Sequence, residues 1–560
     1  MAKIISHNII SPLGYSSIEN YNAILEGKSA ITTYPGLHDG LRPYSASLFS
    51  TKDKADLSIN GYSIYESLVI KSIQKSLTNI KIDISSNEVC LILSTTKGNI
   101  EHLDKTDNIP VSVSDAAQRI ADYLGIETTP LTVCNACISG VTAMLLAQRL
   151  IDQKAYKYII VCGCDIQSEF IISGFQSLNA VSPNPCRPFD IERMGLSLGE
   201  AAASVILTQS DGYCNDEWTI VNGFIRNDAY HNTTPSPNGD GCCLALKKLT
   251  ESGCDDIAFI NAHGTATMFN DQMESKAIEQ AGLSHIPVNA LKGYFGHTMG
   301  AAGIIETIIS MIAIDSGMII GTKGFSFRGV SGKINIVSQQ GDTDKKSFIK
   351  IISGFGGCNG ALLMTKRPVE RGNNRKRISL NPIHSVKITP KQCIVDGVKV
   401  ETNSEGKALL KELYSKYIGN YPKFHKMDLL CQLGFVTIEI LQQIDDCNID
   451  ENSSVILFNS SSSIATDKEY MQTISDAENY FPSPALFVYT LPNIVLSEIA
   501  IKNQIKGETA FYILPQKNLS LIDKIVESTL IDDTIKTLVT GWIDCYDDAN
   551  FVAEISVIKN

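Results

Sequence analysis

One strand–helix–strand pattern occurs twice in this chain, and the repetition constrains the fold more than any single motif. PLTVCNA (130–136), CISGVTAMLLAQRLIDQ (137–153) and YKYIIVCGCD (156–165) read as strand, helix and strand. The segment 507–544 repeats them without a gap: Cys137 precedes Asp165 by 28 residues, and Gln516 precedes Asp544 by 28. Upstream, ENSSVILFNSSSS (451–463) parallels SSNEVCLILSTT (85–96), each an apolar strand followed by a hydroxyl-rich turn. A repeat this long excludes a solenoid and implies duplication of a half-domain.

The rest of the first 368 residues keeps the alternation. VSDAAQRIADYLG (113–125) reads as an amphipathic helix closed by glycine, and AASVILTQ, DIAFINAHGT and KSFIKIISGFGG read as further strands. This predicts an α/β fold with helices against mixed sheets. KRPVERGNNRKRIS (366–379) is polar and basic with no apolar period, which predicts a linker over 369–380 between units 1–368 and 381–560. With 44% hydrophobic and 19% charged residues in 560, the chain can bury ordinary cores, which excludes wholesale disorder. A net charge of −12 argues against a nucleic-acid partner, and no apolar run reaches the ~18 residues of a membrane span. The opening MAKIISHNIISPLG lacks the apolar stretch of a secretion signal, so the fifteen cysteines are expected as reduced thiols in the cytoplasm. Cys134 and Cys137 have no second close pair, so no metal site is expected.

Chemistry concentrates at four turns. Cys137 sits at a strand-to-helix junction among Ala136, Ser139 and Gly140, where the helix dipole favours thiolate. His263 (INAHGTAT) and His297 (GYFGHTMG) are expected at strand ends in small-residue turns, where neutral imidazoles can hydrogen-bond a thioester oxygen and stabilise an enolate. GFGGCNG (354–360) has no phosphate-binding lysine after it and suits a tight turn presenting N–H groups to an oxyanion.

Together these segments resemble the β-ketoacyl-acyl carrier protein synthases of the thiolase superfamily, elongating Cys-His-His type. The resemblance covers about residues 1–368 in order: ISPLG (10–14), ILEGKSAI (24–31), NACISG (135–140), NPCRPFDIERMGLSLGEAAA (184–203), DAYHNTTP (228–235), the Lys292–His297–Glu306 block and GFGG (354–357). It implies a thiolase-like fold of duplicated α/β halves, layered helix–sheet–helix–sheet–helix, followed by a C-terminal partial repeat. Cys137 then accepts an acyl group from an acyl carrier protein. His263 and His297 hold the carbonyl oxygen of a malonyl thioester as CO2 leaves, and the N–H groups of Cys137 and Phe355 form the oxyanion hole. Lys292 orders the site electrostatically with Glu306. Thr265 and Thr267 contact the phosphopantetheine arm, Ile138 restricts the acyl pocket, and Phe355 gates it. No cofactor is bound, because phosphopantetheine arrives on the carrier. The partners implied are acyl and malonyl carrier proteins, with a homodimer or a ketosynthase-like heterodimer as the assembly. The pathway class is fatty acid, polyketide or aryl-polyene-type.

This sequence departs from the family's pattern at three points. The stretch between the strand at 88–96 and Cys137 is short, Cys358 stands where the family has threonine, and Ile138 is bulky. The tail resembles the N-terminal half of a second synthase with Gln516 at the nucleophile position, as in chain-length factors, so that unit should not condense. Two other readings are a non-catalytic chain-length-factor-like partner and a decarboxylating loading enzyme. The retention of Cys137, His263 and His297 argues against the first, and retention of the cysteine against the second.

Overall fold

The computed structural model describes residues 1–38, 41–210, 216–251, 253, 256–368 and 380–560. The expected linker lies outside the described residues, apart from Leu380.

The first half contains β1 (Ala2–Ile10), α1 (Ile64–Leu77), β2 (Val89–Ser94), α2 (Val113–Leu124), β3 (Leu131–Val133), α3 (Ser139–Asp152), β4 (Tyr158–Asp165) and β5 (Ala201–Gln209). Ser63 and Glu66 form a reciprocal capping box that starts α1, and Gly125 in the left-handed conformation ends α2 as the sequence suggests. The strands order as β3–β2–β4–β5–β1. The first three run parallel, and β5 and β1 join antiparallel. The second half contains β6 (Thr219–Asn227), α4 (Asp240–Thr250), β7 (Ile257–Asn261), α5 (Met268–Gln280), β8 (Pro287–Asn289), α6 (Ala302–Asp315), β9 (Ser347–Gly354) and β10 (Cys358–Thr365). Its order, β8–β7–β9–β10–β6, has the same parallel and antiparallel pattern.

Helices α3 and α6 are almost entirely buried between the two sheets. The outer layers are α1 and α2 on the first sheet and α4 and α5 on the second. This is the layered α/β architecture expected from the resemblance. The near-continuous apolar character of α3 and α6 follows from having protein on every side.

The tail repeats the order a third time. It contains β11 (His384–Thr389), α7 (Leu429–Gln442), β12 (Ser453–Asn459), α8 (Ile494–Asn503), β13 (Thr509–Ile513), α9 (Leu519–Thr529), β14 (Thr537–Asp547) and β15 (Asn550–Lys559). Its strands order as β13–β12–β14–β15–β11. The edge strand β13 pairs antiparallel with the edge strand β3, with Tyr512 opposite Val133 and Ile513 opposite Thr132. Val133 precedes Asp165 by 32 residues, and Tyr512 precedes Asp544 by the same 32. Asp165 accepts the N–H of Thr96 at 3.0 Å, and Asp544 accepts that of Ser460 at 2.9 Å. The two units are therefore related by an approximate two-fold axis through the Val133–Tyr512 pair.

One apolar cluster crosses the junction, with Ile456, Phe458, Tyr512 and Ile525 of the tail packed against the α3 layer. Among the described residues, buried ion pairs also cross it, including Arg226 with Asp532 at 2.8 Å. Arg149 binds Glu508 through two bonds of 2.9 and 2.8 Å, and Lys97 binds Asp467 at 2.6 Å. The edge of β3 is thus occupied within the chain.

A buried charge without its partner is costly. Arg149→Met alone should lower stability by about 3–5 kcal/mol, and adding Glu508→Leu should recover most of that loss. Urea midpoints of the two variants beside the wild type measure both.

Candidate active site

Strand β3 ends four residues before Cys137, and the chain passes through Ala136 at φ +49°, a left-handed conformation unusual for a residue with a side chain. Ser139 holds this turn, because its Oγ accepts the N–H of Asn135 at 2.8 Å and donates to the carbonyl of Ala136 at 2.6 Å. The tail holds it too. The N–H of Cys134 donates to the carbonyl of Phe511 at 3.1 Å, and Asn135 Nδ2 donates to the carbonyl of Thr509 at 3.0 Å. The turn directs Cys137 into a cavity of about 310 Å3 also lined by His263, His297, Phe355, Thr265 and Thr267.

His297 Nε2 lies 3.0 Å from Cys137 Sγ. Its Nδ1 accepts the N–H of Met299 at 3.3 Å, a contact that assigns the ring proton to Nε2, facing the sulfur. His263 meets His297 edge-on with ring centroids 5.0 Å apart. A ligating atom from each of Cys137, His263 and His297 lies within 4.8 Å of the others.

His263 follows β7, as expected. His297 does not end a strand. It follows a single helical turn, Lys292–Phe295, and its backbone is pinned to the 184–203 motif instead. Its N–H donates to Ser197 at 2.7 Å, and its carbonyl accepts from Gly199 at 3.0 Å. Gly296 permits that approach, since it sits at φ +69° and a Cβ there would meet the Leu198 oxygen at 2.1 Å.

Lys292 is fully buried. Its Nζ donates to the carbonyl of His263 and to Glu306 Oε1, each at 2.7 Å. The other Glu306 oxygen takes Lys350, whose Nζ also donates to Asn261 Oδ1 at 2.7 Å. Sequence reasoning missed Lys350, although a lysine inside the apolar run SFIKIIS was a visible signal. It also missed Glu274, whose carboxylate accepts the N–H of His263 at 2.7 Å and of Gly264 at 2.8 Å.

Burial first, then the cations Lys292 and Lys350, hold both histidines well below the ordinary imidazole range, so both rings are neutral at pH 7. Burial pushes the Cys137 thiol up to about 12, opposed by Lys292 and by the backbone N–H groups of Cys137 and Phe355. The thiolate expected from the helix terminus is therefore outweighed by desolvation at rest.

The remaining expected residues divide. Thr265 and Thr267 face each other across 2.9 Å on the cavity wall. Phe355 lines the cavity and leans on Phe175, centroids 5.9 Å apart, with Phe487 of the tail 5.4 Å behind Phe175. Ile138 is fully buried in the core and does not line the cavity. Cys358 is buried with its sulfur 3.2 Å from the Thr509 hydroxyl, so the tail places a hydroxyl beside this thiol. Gln516 occupies the place in the tail that Cys137 holds in the first unit, but it is solvent-exposed.

Comparison with known proteins shows what the chain is similar to. The profile "Beta-ketoacyl synthase, N-terminal domain" matches residues 80–211, and "Beta-ketoacyl synthase, C-terminal domain" matches 219–326. Residues 80–211 and 219–326 of this chain are thus similar to the two domains of the beta-ketoacyl synthase family. These similarities indicate an acyltransferase-type enzyme. A relative named 3-oxoacyl-[acyl-carrier-protein] synthase 2 from Coxiella burnetii is 24% identical over 408 residues, covering 64% of this chain and 96% of that protein. The protein of the same name from Staphylococcus aureus strain COL is 28% identical over 277 residues, 46% of this chain and 67% of its own length. Among solved structures, a ketosynthase in complex with its chain length factor from Xenorhabdus doucetiae aligns at TM-score 0.55 and 23% identity, over 65% of this chain and 97% of that one. A structure titled "PfaC Keto synthase-Chain length factor" aligns at TM-score 0.75 and 13% identity, over 100% of this chain and 78% of that one. The synthase-like fold therefore extends through the tail. No described helix is long and apolar enough to cross a membrane.

A histidine held neutral in the fold but free to titrate when unfolded costs stability as pH falls below ~6.5. The stability of wild type relative to His263→Gln should drop by about 1.4 kcal/mol per pH unit below that value. Paired urea titrations at pH 5, 6 and 7 measure the difference, with the raised carboxylates common to both proteins cancelling.

Proposed function

We propose that this chain is an elongating β-ketoacyl-acyl carrier protein synthase. The observation that carries the reading is the convergence of Cys137 Sγ, the neutral His297 Nε2 at 3.0 Å and the neutral His263 ring in one buried cavity. In the first half-reaction the Cys137 sulfur attacks an acyl thioester on a carrier's phosphopantetheine arm. The thiol proton passes to the departing carrier thiolate, and an acyl-Cys137 thioester forms. In the second, a malonyl thioester enters with its carbonyl oxygen facing His263 and His297. Its carboxylate leaves as CO2, and the bonding pair becomes an enolate held by the two imidazole N–H groups. The enolate carbon attacks the acyl carbon, whose oxyanion is held by the N–H groups of Cys137 and Phe355. Cys137 is then expelled as thiolate and reprotonated.

Neutral imidazoles suit this work because each can donate a hydrogen bond without adding charge that would hold the carboxylate in place. Lys292 and Glu306 act one group away: the ammonium grips the His263 carbonyl and opposes the rise of the Cys137 thiol. Thr265 and Thr267 are assigned to the arm, with the exposed Met194, Met268 and Phe269 at the same cavity. The carrier protein is the proposed partner and the cytoplasm the proposed compartment. Residues 1–368 form the proposed condensing unit. Residues 381–560 form a non-condensing unit in the position of a chain-length factor, with no imidazole and no buried sulfur at Gln516. Nothing in the site favours an inactive partner subunit, since the three reacting side chains are present and assembled.

Intact-protein mass after incubation with acyl carrier thioesters should rise by one acyl group in wild type and not in Cys137→Ala. His263→Ala and His297→Ala should retain acyl loading but lose malonyl decarboxylation by roughly 100-fold or more, followed as CO2 release. Acyl loading that persists in Cys137→Ala, or wild type that loads nothing while folded, rules the reading out.

A further inference from the structure

The turn that carries Phe355 is held from the tail. The carbonyl of Phe355 accepts from Asn493 Nδ2 at 2.9 Å, and the N–H of Gly356 donates to the carbonyl of Asn232 at 2.7 Å. Those two atoms belong to one planar peptide, so it is gripped at both ends and its rotation is blocked. Gly356 sits at φ +93°, and a Cβ there would meet Asn493 Nδ2 at 2.7 Å, so a glycine is what admits the amide.

Asn232 is itself fixed from the tail. Ser497 Oγ donates to its Oδ1 at 2.8 Å, and its Nδ2 donates to Glu498 Oε1 at 2.6 Å. Glu498 is fully buried and further held by Tyr489 at 2.9 Å and Lys423 at 2.7 Å. Asn493 stands at the N-cap position of α8 without a side-chain capping bond, and Ser497 and Glu498 lie in the first turns of that helix. One helix of the tail thus grips two loops of the cavity.

The geometry points to Asn493 as a positioning residue for the reaction centre: by gripping the Phe355–Gly356 peptide it fixes the carbonyl side of Phe355 and so restricts the turn whose preceding peptide carries the Phe355 N–H beside Cys137 Sγ, while Ser497 and Glu498 hold the opposing Asn232. Asn493 touches no reacting atom, so the tail acts on the chemistry through the backbone of the first unit. The inference rests on the condensing reading for its kinetic consequence only.

The test uses the full chain and two readouts, iodoacetamide alkylation of Cys137 from pH 6 to 10 and steady-state condensation. Asn493→Asp keeps the shape of the side chain and removes the donor. Asn493→Asp and Asn493→Ala should slow alkylation by about tenfold at each pH and lower kcat roughly 10- to 100-fold, with KM for the malonyl carrier within twofold. Ser497→Ala should shift both in the same direction by less, and it carries the test if the Asn493 variants do not fold. Alkylation within twofold of wild type in the folded Asn493 variants overturns the inference and leaves Asn493 as packing. Wild type that alkylates normally but neither loads acyl groups nor releases CO2 sinks the condensing reading instead, and the alkylation comparison still judges the clamp.

Discussion

The pairing of β3 with β13 is the contact on which the rest of the molecule depends. A sheet edge left open exposes unpaired N–H and C=O groups and invites another chain. Here the edge is closed internally, with Tyr512 opposite Val133 at the approximate two-fold axis. The pairing also sets a position. Cys137 begins four residues beyond Val133, and both Cys134 and Asn135 are tied to the backbone of the tail on the way. Moving β13 would move the turn that aims the sulfur.

The electrostatics of the site follow from its depth. Three charged groups, Lys292, Glu306 and Lys350, are buried together, and the carboxylate lies between two ammonium groups. Burying them is tolerable because each has a close counter-charge or a carbonyl to bind. Burial first, and then the two lysines, keep the nearby imidazoles neutral, while Lys292 opposes the rise of the Cys137 thiol. The same depth raises the resting thiol.

Three copies of one strand order have come to serve different ends. In the first half the turn after β3 presents Cys137 inward. In the second half the turns after β7 and β8 present His263 and His297. In the tail the corresponding turn, at Gln516, is exposed, and the unit meets the cavity through α8 and Phe487 instead. A shared fold therefore does not carry a shared chemistry.

The sequence by itself determined the local units and singled out Cys137, His263 and His297, which the structure brings into one cavity. Apolar runs of strand length, the glycine that ends α2 and the ungapped repeat between 130–165 and 507–544 were legible because they rest on short-range periodicity and spacing. Cys137, His263 and His297 were legible because their turns are rich in small residues in a recognisable order. Tertiary structure decided what depends on distant segments meeting. It placed Lys350 against Glu306, turned Ile138 into the core, set His297 after a helical turn, and brought Asn493 to Phe355. No period or motif links residues 138 positions apart in sequence. Only the packing of one unit on the other, driven by a shared apolar core and a closed strand edge, puts their atoms within hydrogen-bonding distance.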